Sequence, residues 1–320
     1  TQGYSSAASD VYKRQMIKRG DWSVDLSLNF SNYVNTIIDL DENVLHNYNA
    51  DFNYSNGSYL NRFQVNNSFG SIYGFRYKGV YQYDTYQPDK PDATAPVVRD
   101  ANGNVVLDGS GDPIPMYFAY GTTNEYRFRG GDAIYEDINH DGTIDELDIV
   151  YLGNSNPKFD GGFGTTIRWK RLSLNVFFNY RVGGKIINYG RMYSESMYNT
   201  ENQSVSTNWR WRKDGDVTEI PRALFQSGYN WLGSDRFVED GSFLRLKTIS
   251  LGYRLPNAWL KKINIKSLRV YASAQNLITW TKYSGPDPEV STRPTALTPS
   301  FDWSPYPRPR TLTLGVDISF

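Results

Sequence analysis

The C-terminal end of the chain alternates between apolar and polar residues. Its apolar members are Leu312, Leu314, Val316, Ile318 and Phe320, and a polar or small residue stands between each pair. Such alternation is typical of a β-strand with one apolar face and one polar face. A soluble β-sandwich can end on such a strand, but an outer-membrane barrel nearly always does, because its last strand faces lipid on one side and the lumen on the other.

The same alternation recurs earlier in the chain, in segments that we predict to be strands. Only Lys170 and Arg171 separate two of these segments, so that pair is predicted to form a tight hairpin. Other connections are long, at residues 84–158, 183–241 and 280–309. Short turns that alternate with long loops are typical of a transmembrane barrel. The predicted strands cover residues 22–31, 73–83, 163–169, 172–180, 249–255 and 268–275.

The composition narrows the classes of function. Lys+Arg and Asp+Glu both number 34, so no net field would attract nucleic acid, and no nucleic-acid partner is expected. The chain has no cysteine and only two histidines, which excludes thiolate metal sites and disfavours histidine triads. Aromatic residues make up 15% of the chain and the mean hydropathy is -0.57, a pairing that suits a β-protein with hydrated loops.

The N-terminal residues show no recognisable pattern. Residues 1–15 fit neither a strand nor a helix template, and we interpret residues 1–20 as a non-native or disordered leader before a folded portion at 21–320. No run approaches 18 apolar residues and no signal-peptide layout is visible, so no transmembrane helix is predicted. Helix is expected only within loops, as at residues 188–199.

Several large aromatic residues fall at the ends of predicted strands. Strands of roughly 9–11 tilted residues cross the hydrocarbon layer of a bilayer, and aromatic side chains at their ends form interfacial belts. Core packing explains each of these aromatics individually, but their shared placement favours a belt. They are Trp22, Trp169, Tyr180, Tyr253 and Trp280.

An acidic loop carries the most specific chemical motif. Calcium loops place oxygen ligands at positions 1, 3, 5, 7 and 12, with a glycine at position 6 for the sharp turn. Here Gly142 supplies the turn, and the twelfth residue is an aspartate in place of the usual glutamate. The alternative is a solvated turn without metal. The predicted structural Ca²⁺ ligands are Asp137, Asn139, Asp141, Thr143, Asp145 and Asp148.

Long loops also contain aromatic residues that could stack on a substrate. Exposed rings bind sugar faces, although loop aromatics more often pack the loop onto itself. The candidates are Trp209, Trp211, Trp231, Trp303 and Tyr306. A pair of carboxylates for glycosidase chemistry cannot be placed from sequence spacing, so no catalytic residue is predicted.

Four stretches together resemble the C-terminal part of the SusC/RagA family of TonB-dependent outer-membrane transporters. Their order and direction match the family, and the similarity covers nearly everything after residue 21. They are residues 70–82 (GSIYGFRYKGVYQ), 131–162 with the acidic loop, 243–253 (FLRLKTISLGY) and 270–279 (VYASAQNLIT).

The resemblance implies an all-β fold, the C-terminal part of a large antiparallel transmembrane β-barrel with long extracellular loops. It implies TonB-driven import of an oligosaccharide or peptide substrate, a SusD-like surface lipoprotein as partner, and no enzymatic activity. Contact with the TonB complex would use an N-terminal part outside this sequence. The setting would be the lipid of a Bacteroidota-type outer membrane, and the strand ending in Phe320 resembles the signal read by the barrel-assembly machinery.

Two other classes of protein fit parts of the sequence. A soluble calcium-dependent carbohydrate-binding or adhesion β-sandwich would use the acidic loop and the loop aromatics in the same way. A passive porin would share the strands and lack a plug domain. Solubility without detergent separates the first from a barrel, and the upstream reading frame separates the second.

Overall fold

The computed structural model describes residues 8–42, 55–60, 62–90, 92–120, 123–261, 264–289 and 298–320, with only the main chain described for residues 8–17. Within these residues strand is the predominant regular structure, and no helix is long and apolar enough to cross a membrane. The described strands are β1 (Ala8–Arg19), β2 (Trp22–Asn32), β3 (Ser71–Gly74), β4 (Tyr77–Val80), β5 (Tyr117–Tyr120), β6 (Thr123–Arg127), β7 (Ala133–Tyr135), β8 (Thr143–Ile144), β9 (Val150–Asn154), β10 (Phe159–Trp169), β11 (Leu172–Val182), β12 (Lys185–Asn188), β13 (Val238–Asp240), β14 (Phe243–Arg254), β15 (Ser267–Thr281), β16 (Ser300–Asp302) and β17 (Thr311–Ser319).

Helical structure is confined to connections. Two short α-helices are described, α1 (Tyr189–Glu195) and α2 (Asn257–Leu260), and α1 confirms the helix predicted within residues 188–199. The Asn188 side chain caps α1 by accepting a hydrogen bond from the Arg191 amide. Single 3-10 turns occupy Glu146–Asp148, Val205–Trp209 and Asp235–Phe237.

Seven long strands form one open antiparallel sheet in the order β1-β2-β10-β11-β14-β15-β17. Each strand pairs with its neighbour along most of its length, and the seven strands contain 9 to 15 residues. This length suffices to cross a bilayer. The register aligns one side-chain row across six strands: Leu26, Thr165, Val176, Ile249, Ala274 and Leu312.

The large sheet exposes its apolar face. In β2, Leu26, Leu28 and Phe30 are 43%, 48% and 42% exposed, whereas the polar Ser27 and Asn29 between them are half-buried. A soluble sheet does the reverse, burying its apolar face against a core. No second sheet of the described chain pairs with or packs on this face. The β-sandwich interpretation is therefore wrong.

The connections at the two ends of this sheet differ in length. At one end lie the turn at Gly20, the tight hairpin at Lys170 and Arg171, and the link at residues 255–266. The hairpin is the one predicted from sequence, and Lys170 adopts a positive φ of 51° within it. The other end carries the long connections at residues 33–158, 183–242 and 282–310.

Within the segment interpreted as a leader, Ala8–Arg19 forms β1 and pairs with β2. Main-chain hydrogen bonding between antiparallel strands does not require alternating side chains, so this segment carried no sequence signal. Residues 1–7 lie outside the described residues. A non-native origin of residues 1–20 stays a prediction.

The strand predicted at residues 73–83 is also corrected. It consists of the short strands β3 and β4, which pair with β9 and β7 outside the large sheet. Tyr73, Phe75 and Tyr81 are buried in a compact core. Alternating aromatic residues fit a strand buried on one face equally well in either place, so the pattern alone did not distinguish them.

Candidate functional site

The described parts of the long connections pack together at one end of the sheet into a unit that we call the outer lobe, which lies within residues 33–158, 183–242 and 282–310. Side chains that are 1% exposed or less form its core: Phe75, Phe118, Phe128, Phe237, Ile72, Ile144, Ile187, Met192 and Leu232. Segments distant in sequence are hydrogen-bonded across it, as where the Tyr189 hydroxyl donates to the Gly57 carbonyl at 2.9 Å. The described residues of the lobe therefore form one packed unit.

A buried carboxylate joins three parts of the outer lobe. Asp132 is fully buried, and its side chain accepts from Arg222 Nε at 2.7 Å, from the Tyr126 hydroxyl at 2.8 Å and from the Arg129 amide at 2.8 Å. A buried charge is tolerated when it is paired and hydrogen-bonded in this way. Burial, followed by the negative charge of Asp132, raises the pKa of Tyr126.

An open cavity of about 980 Å³ lies on the outer lobe. Strand β4, helix α1 and residues 206–220 line it, and Arg236 forms part of the wall. The exposed Trp209 and Val217 provide apolar surface, at 66% and 83% exposure. A cavity of this size with a few convergent polar groups is the usual form of a ligand site.

A network of opposite charges forms one side of the cavity. Glu195 contacts Arg236 Nη2 at 2.8 Å and Arg191 Nε at 3.1 Å, and Arg191 also reaches Glu239 at 3.3 Å. The Arg236 and Glu195 side chains are only 6% and 7% exposed. Burial raises the pKa of Tyr77 to about 12, so its hydroxyl stays protonated and donates to the Glu219 carbonyl at 2.7 Å. The wall therefore offers fixed donors and acceptors with little net charge.

The predicted substrate aromatics divide into packed and exposed residues. Trp231 is 7% exposed and packs on Gly57 and Tyr193, so the prediction of a ligand contact there is corrected. Trp211 covers Gly131 and donates through Nε1 to the Gln82 carbonyl at 3.1 Å, which is also a packing role.

Three of these aromatics remain accessible. Trp209 lines the cavity. Trp303 stacks on Tyr189 with ring centroids 4.1 Å apart and is 55% exposed, and Tyr306 is 96% exposed. The structure does not bring Trp303 and Tyr306 to the cavity that Trp209 lines. Residue type alone could not separate these cases.

The acidic loop uses its carboxylates on its own main chain. Asp137 accepts from the Gly142 amide at 2.9 Å, and Asp141 accepts from the Thr143 amide at 2.8 Å. Asp148 is fully buried and accepts from the amides of Ile138 and Asp145 at 2.7 and 3.0 Å.

Other members of the predicted calcium set are held in the same way. Asp145 accepts from the Leu147 amide at 2.8 Å, and the Asn139 side chain donates to Asp141 at 2.8 Å. Across the described part of the chain, no group of three or more acidic or histidine side chains is gathered to hold a metal ion. This arrangement is a hydrogen-bonded turn closed by a capping box at Asp145 and Asp148.

The polar face of the large sheet carries a buried ion cluster that sequence reasoning missed. Arg245 of β14 is ion-paired with Asp287 and, at 2.8 Å, with Glu289, and both carboxylates belong to the outer lobe. Lys247 and Arg308 add further positive charge around Glu289, at 3.8 and 3.5 Å. Arg245 shares the odd parity of the apolar-face residues Ile249 and Leu251, and it reaches the polar face because the register shifts between Leu246 and Thr248. No sequence signal showed this shift or identified partners more than 40 residues away.

A basic cleft of about 480 Å³ lies on the same polar face, near the tight turns. Arg168 there is ion-paired with Asp25, and Arg269 contacts Asp317 at 3.3 Å. The opposite, apolar face carries the predicted C-terminal signal residues. Leu312, Leu314, Val316, Ile318 and Phe320 are 78%, 87%, 56%, 49% and 76% exposed.

The predicted aromatic belt residues lie at the ends of the long strands. Trp22 and Trp169 stack near the tight turns with ring centroids 5.5 Å apart, and Trp280 lies beside Phe178 toward the outer lobe. Rings at both ends of exposed apolar strands are typical of membrane interfaces.

Known relatives of the chain are TonB-dependent receptors, although no family model matches it. It is 32% identical over 258 residues to TonB-dependent receptor P3 of Formosa agariphila, covering 79% of this chain and 22% of that relative. It is 30% identical over 227 residues to TonB-dependent receptor SusC of Bacteroides thetaiotaomicron, covering 70% of this chain and 21% of that relative. The chain thus spans less than a quarter of the length of these two curated relatives.

Solved structures share the fold. The RagAB peptide transporter aligns with a TM-score of 0.63 at 24% identity, over 96% of this chain and 28% of that chain. The RagAB peptide importer in the closed-closed state aligns with a TM-score of 0.61 at 25% identity. Together with the open, outwardly apolar sheet, these matches confirm the predicted fold class. The chain therefore belongs to the SusC/RagA family of TonB-dependent receptors and forms part of their transmembrane β-barrel.

Proposed function

We propose that the intact protein containing this chain is an outer-membrane importer that takes up oligosaccharides or peptides, driven by the TonB complex. The mechanism is binding on the outer side followed by gated passage along the polar face of the barrel. No covalent chemistry is required. The proposal extends the family assignment, which rests on relatives of which this chain spans less than a third.

The cavity of the outer lobe is the observation that carries this proposal. Trp209 offers an exposed ring that suits a sugar face or an apolar peptide side chain. Arg191 beside it, whose side chain is 36% exposed and held by Glu195, suits hydroxyl groups or a carboxylate of a peptide. Positive and negative groups balance around the cavity, which favours a polar ligand without large net charge over a polyanion.

A SusD-like surface lipoprotein is the proposed partner on the outer side. Trp303 and Tyr306 lie on the outer lobe, are 55% and 96% exposed, and stand apart from the cavity. Exposed aromatic residues are enriched where protein surfaces associate. We assign these two residues to contact with the lipoprotein. Recognition of the strand ending in Phe320 by the barrel-assembly machinery is proposed on its exposed alternation.

Calcium binding by Asp137, Asn139, Asp141, Thr143, Asp145 and Asp148 stays a prediction. The sequence spacing supports it, and Asp137 Oδ1 is buried without a hydrogen-bond partner, whereas hydrogen bonds occupy Asp137 Oδ2 and both carboxylate oxygens of Asp148. Calorimetric titration of the intact receptor with Ca²⁺ tests it. A saturable binding heat in the wild-type receptor that is lost in Asp137→Asn would support a structural cation. The absence of binding heat in the wild-type receptor would contradict the prediction.

Uptake by intact cells tests the proposed import. A strain that lacks the receptor is supplied with the wild-type gene or with Trp209→Ala, and accumulation of labelled oligosaccharides and peptides is measured with and without a functional TonB complex. We expect TonB-dependent accumulation of one substrate class and a reduced rate in Trp209→Ala. Accumulation that persists without TonB would indicate a passive porin, and failure to accumulate either class would overturn the proposal.

A further inference from the structure

A groove crosses the apolar face of the large sheet over strand β15. Its floor is Ala272 and Ala274, and its volume is about 580 Å³. On one side stand Ile249 and Leu251 of β14, which pair with the two alanines, and on the other side stand residues of β17. The groove arises because two consecutive outward positions of β15 carry only a methyl group between rows of larger side chains.

Another small residue on this face is covered by its neighbours. Gly161 of β10 lies between Phe30 and Tyr180 in the register, and the Tyr180 hydroxyl lies 2.9 Å from the position that a Cβ would occupy. No aromatic residue lines the groove, in which Ala272 is exposed and Ala274 is buried beneath the neighbouring side chains. The groove is thus an open feature of the wall.

This face contacts lipid, because the sheet is part of a transmembrane barrel whose apolar side chains point outward. A bilayer supplies flexible hydrocarbon chains, and each buried CH₂ group contributes about 0.8 kcal/mol to binding. A linear apolar groove with a floor of alanine methyl groups therefore fits one acyl chain better than it fits a flat protein surface.

The turn that precedes β15 carries side chains that can bind a lipid head group. Lys266 directly precedes β15, continues the outward parity of Ala272 and Ala274, and is exposed. Lys261 is also exposed, and Trp259 is 64% exposed on helix α2 in the same turn. Lysine and tryptophan at this level are typical anchors at the membrane interface.

The distance from the turn to the groove matches one leaflet. Eight residues separate Lys266 from Ala274, which at about 3.3 Å per residue and a tilt of about 45° gives roughly 19 Å along the membrane normal. Half of a hydrocarbon core of about 30 Å is about 15 Å. A lipid whose phosphate lies at Lys266 therefore reaches Ala274 with its acyl chain.

We propose that this wall binds one anionic phospholipid of the periplasmic leaflet, with an acyl chain over Ala272 and Ala274 and its phosphate beside Lys266 and Lys261. The leaflet follows from the short turns, which lie on the periplasmic side of outer-membrane barrels. The site is independent of the proposed transport substrate and of the outer lobe.

Photolabelling of the unmodified receptor tests the site directly. The intact receptor is placed in phosphatidylethanolamine vesicles that contain phosphatidylglycerol with a photoreactive group in mid-chain, and labelled peptides are identified by mass spectrometry. We expect labelling of the peptides that contain Ala272 and Leu314 to exceed labelling of the peptide that contains Val176, on the same face. Equal labelling of both would mean ordinary surrounding lipid and would overturn the proposal.

Variants separate the acyl chain from the head group. The A272L/A274L variant fills the groove and should reduce the phospholipid retained through detergent purification by about tenfold. This factor corresponds to the free energy of about two lost CH₂ contacts. K261Q/K266Q should retain phosphatidylglycerol and phosphatidylethanolamine equally. The controls V176L, outward and outside the groove, and K170Q, on another periplasmic turn, should behave as wild type.

Two results would contradict the proposal. Unchanged lipid retention in a correctly folded A272L/A274L, verified by its heat-resistant electrophoretic mobility, would show that the groove is not the binding site. A receptor dimer that dissociates in A272L/A274L would assign the groove to a second copy of the chain.

Discussion

Arg245 on the inner face of the barrel wall and Asp287 of the outer lobe form an ion pair in which both side chains are almost fully buried, at 2% and 5% exposure. Glu289 contacts the same guanidinium at 2.8 Å. Together with the hydrogen bond that Asn179 of β11 donates to Glu289 at 3.0 Å, this cluster fixes residues 282–289 against the polar face. It therefore determines how far this segment extends into the lumen.

Removal of Arg245 is expected to release that segment. Arg245→Met leaves two carboxylates without their buried partner, and breaking a buried pair costs about 3–5 kcal/mol. We expect lower resistance of the intact receptor to urea and new protease cleavage within residues 282–310. Lys170→Gln is the control, because its pair with Asp21 is long at 3.8 Å and more than 60% exposed, and such pairs contribute about 0–1 kcal/mol. Equal stability of the two variants would contradict a structural role for the cluster.

The same pair predicts a dependence of stability on acid pH. Burial alone would raise the pKa of the Asp287 carboxyl, but hydrogen bonding and the charge of Arg245 outweigh burial and lower it. A carboxyl whose pKa is lower in the folded state stabilises the fold above its ordinary pKa of about 3.9, and that contribution is lost as pH falls further. Urea unfolding measured between neutral and acid pH should therefore show a loss of stability below about pH 4 that is smaller in Asp287→Asn. An identical pH profile in the variant would refute this assignment.

The sequence alone identified the barrel wall well and the outer lobe poorly. Strands β2, β10, β11 and β17 were visible because one face of each meets lipid, which forces apolar residues at every second position over a long stretch. Strands β3 and β4 were misplaced because their buried aromatic residues alternate in the same way. The local sequence pattern shows which face of a strand is apolar. It does not show whether lipid or a protein core covers that face.

Individual site residues could not be assigned from sequence for a related reason. Trp209 and Trp231 both lie in long loops, and only tertiary packing makes one exposed and the other buried. Asp287, which pairs with Arg245, and Arg222, which pairs with Asp132, lie 42 and 90 residues away from their partners, so no local spacing reports these ion pairs. Charge pairing across a lobe is a property of the folded chain.

Trp209 and Trp231 should respond differently to the same substitution. Trp231→Ala removes a buried ring and should cost about 3–5 kcal/mol in the free energy of unfolding. Trp209→Ala removes an exposed ring and should change stability by less than about 0.5 kcal/mol while it weakens substrate uptake. Thermal unfolding and uptake measured on both variants test this contrast. Strong destabilisation by Trp209→Ala would remove the argument that this ring is free for a ligand.

Two glycines with the same backbone conformation should differ in tolerance. Gly131 and Gly103 have φ of 83° and 84°, so alanine at either position costs about 1–2 kcal/mol in backbone strain. At Gly131 an added Cβ would also lie 2.2 Å from the Trp211 ring, whereas at Gly103 it would meet nothing within 4 Å. We expect Gly131→Ala to lower the thermal stability of the outer lobe clearly more than Gly103→Ala. Equal losses of thermal stability in the two variants would mean that the Trp211 ring shifts away from the added methyl group without a cost in free energy.

Adjacent positions on the last strand should distinguish lipid from lumen. Leu314 points to the apolar face, opposite Ala272, and Thr313 points to the polar face, opposite Ser273. An arginine on the lipid face near the middle of a bilayer costs about 2–4 kcal/mol, whereas a charge facing the lumen remains hydrated. Leu314→Arg should therefore reduce the fraction of receptor that folds into lipid vesicles, measured by heat-resistant electrophoretic mobility, and Thr313→Arg should fold as wild type. The reverse order would place lipid on the polar face and would contradict the assignment of the exposed Leu26, Leu28 and Phe30 to the lipid side.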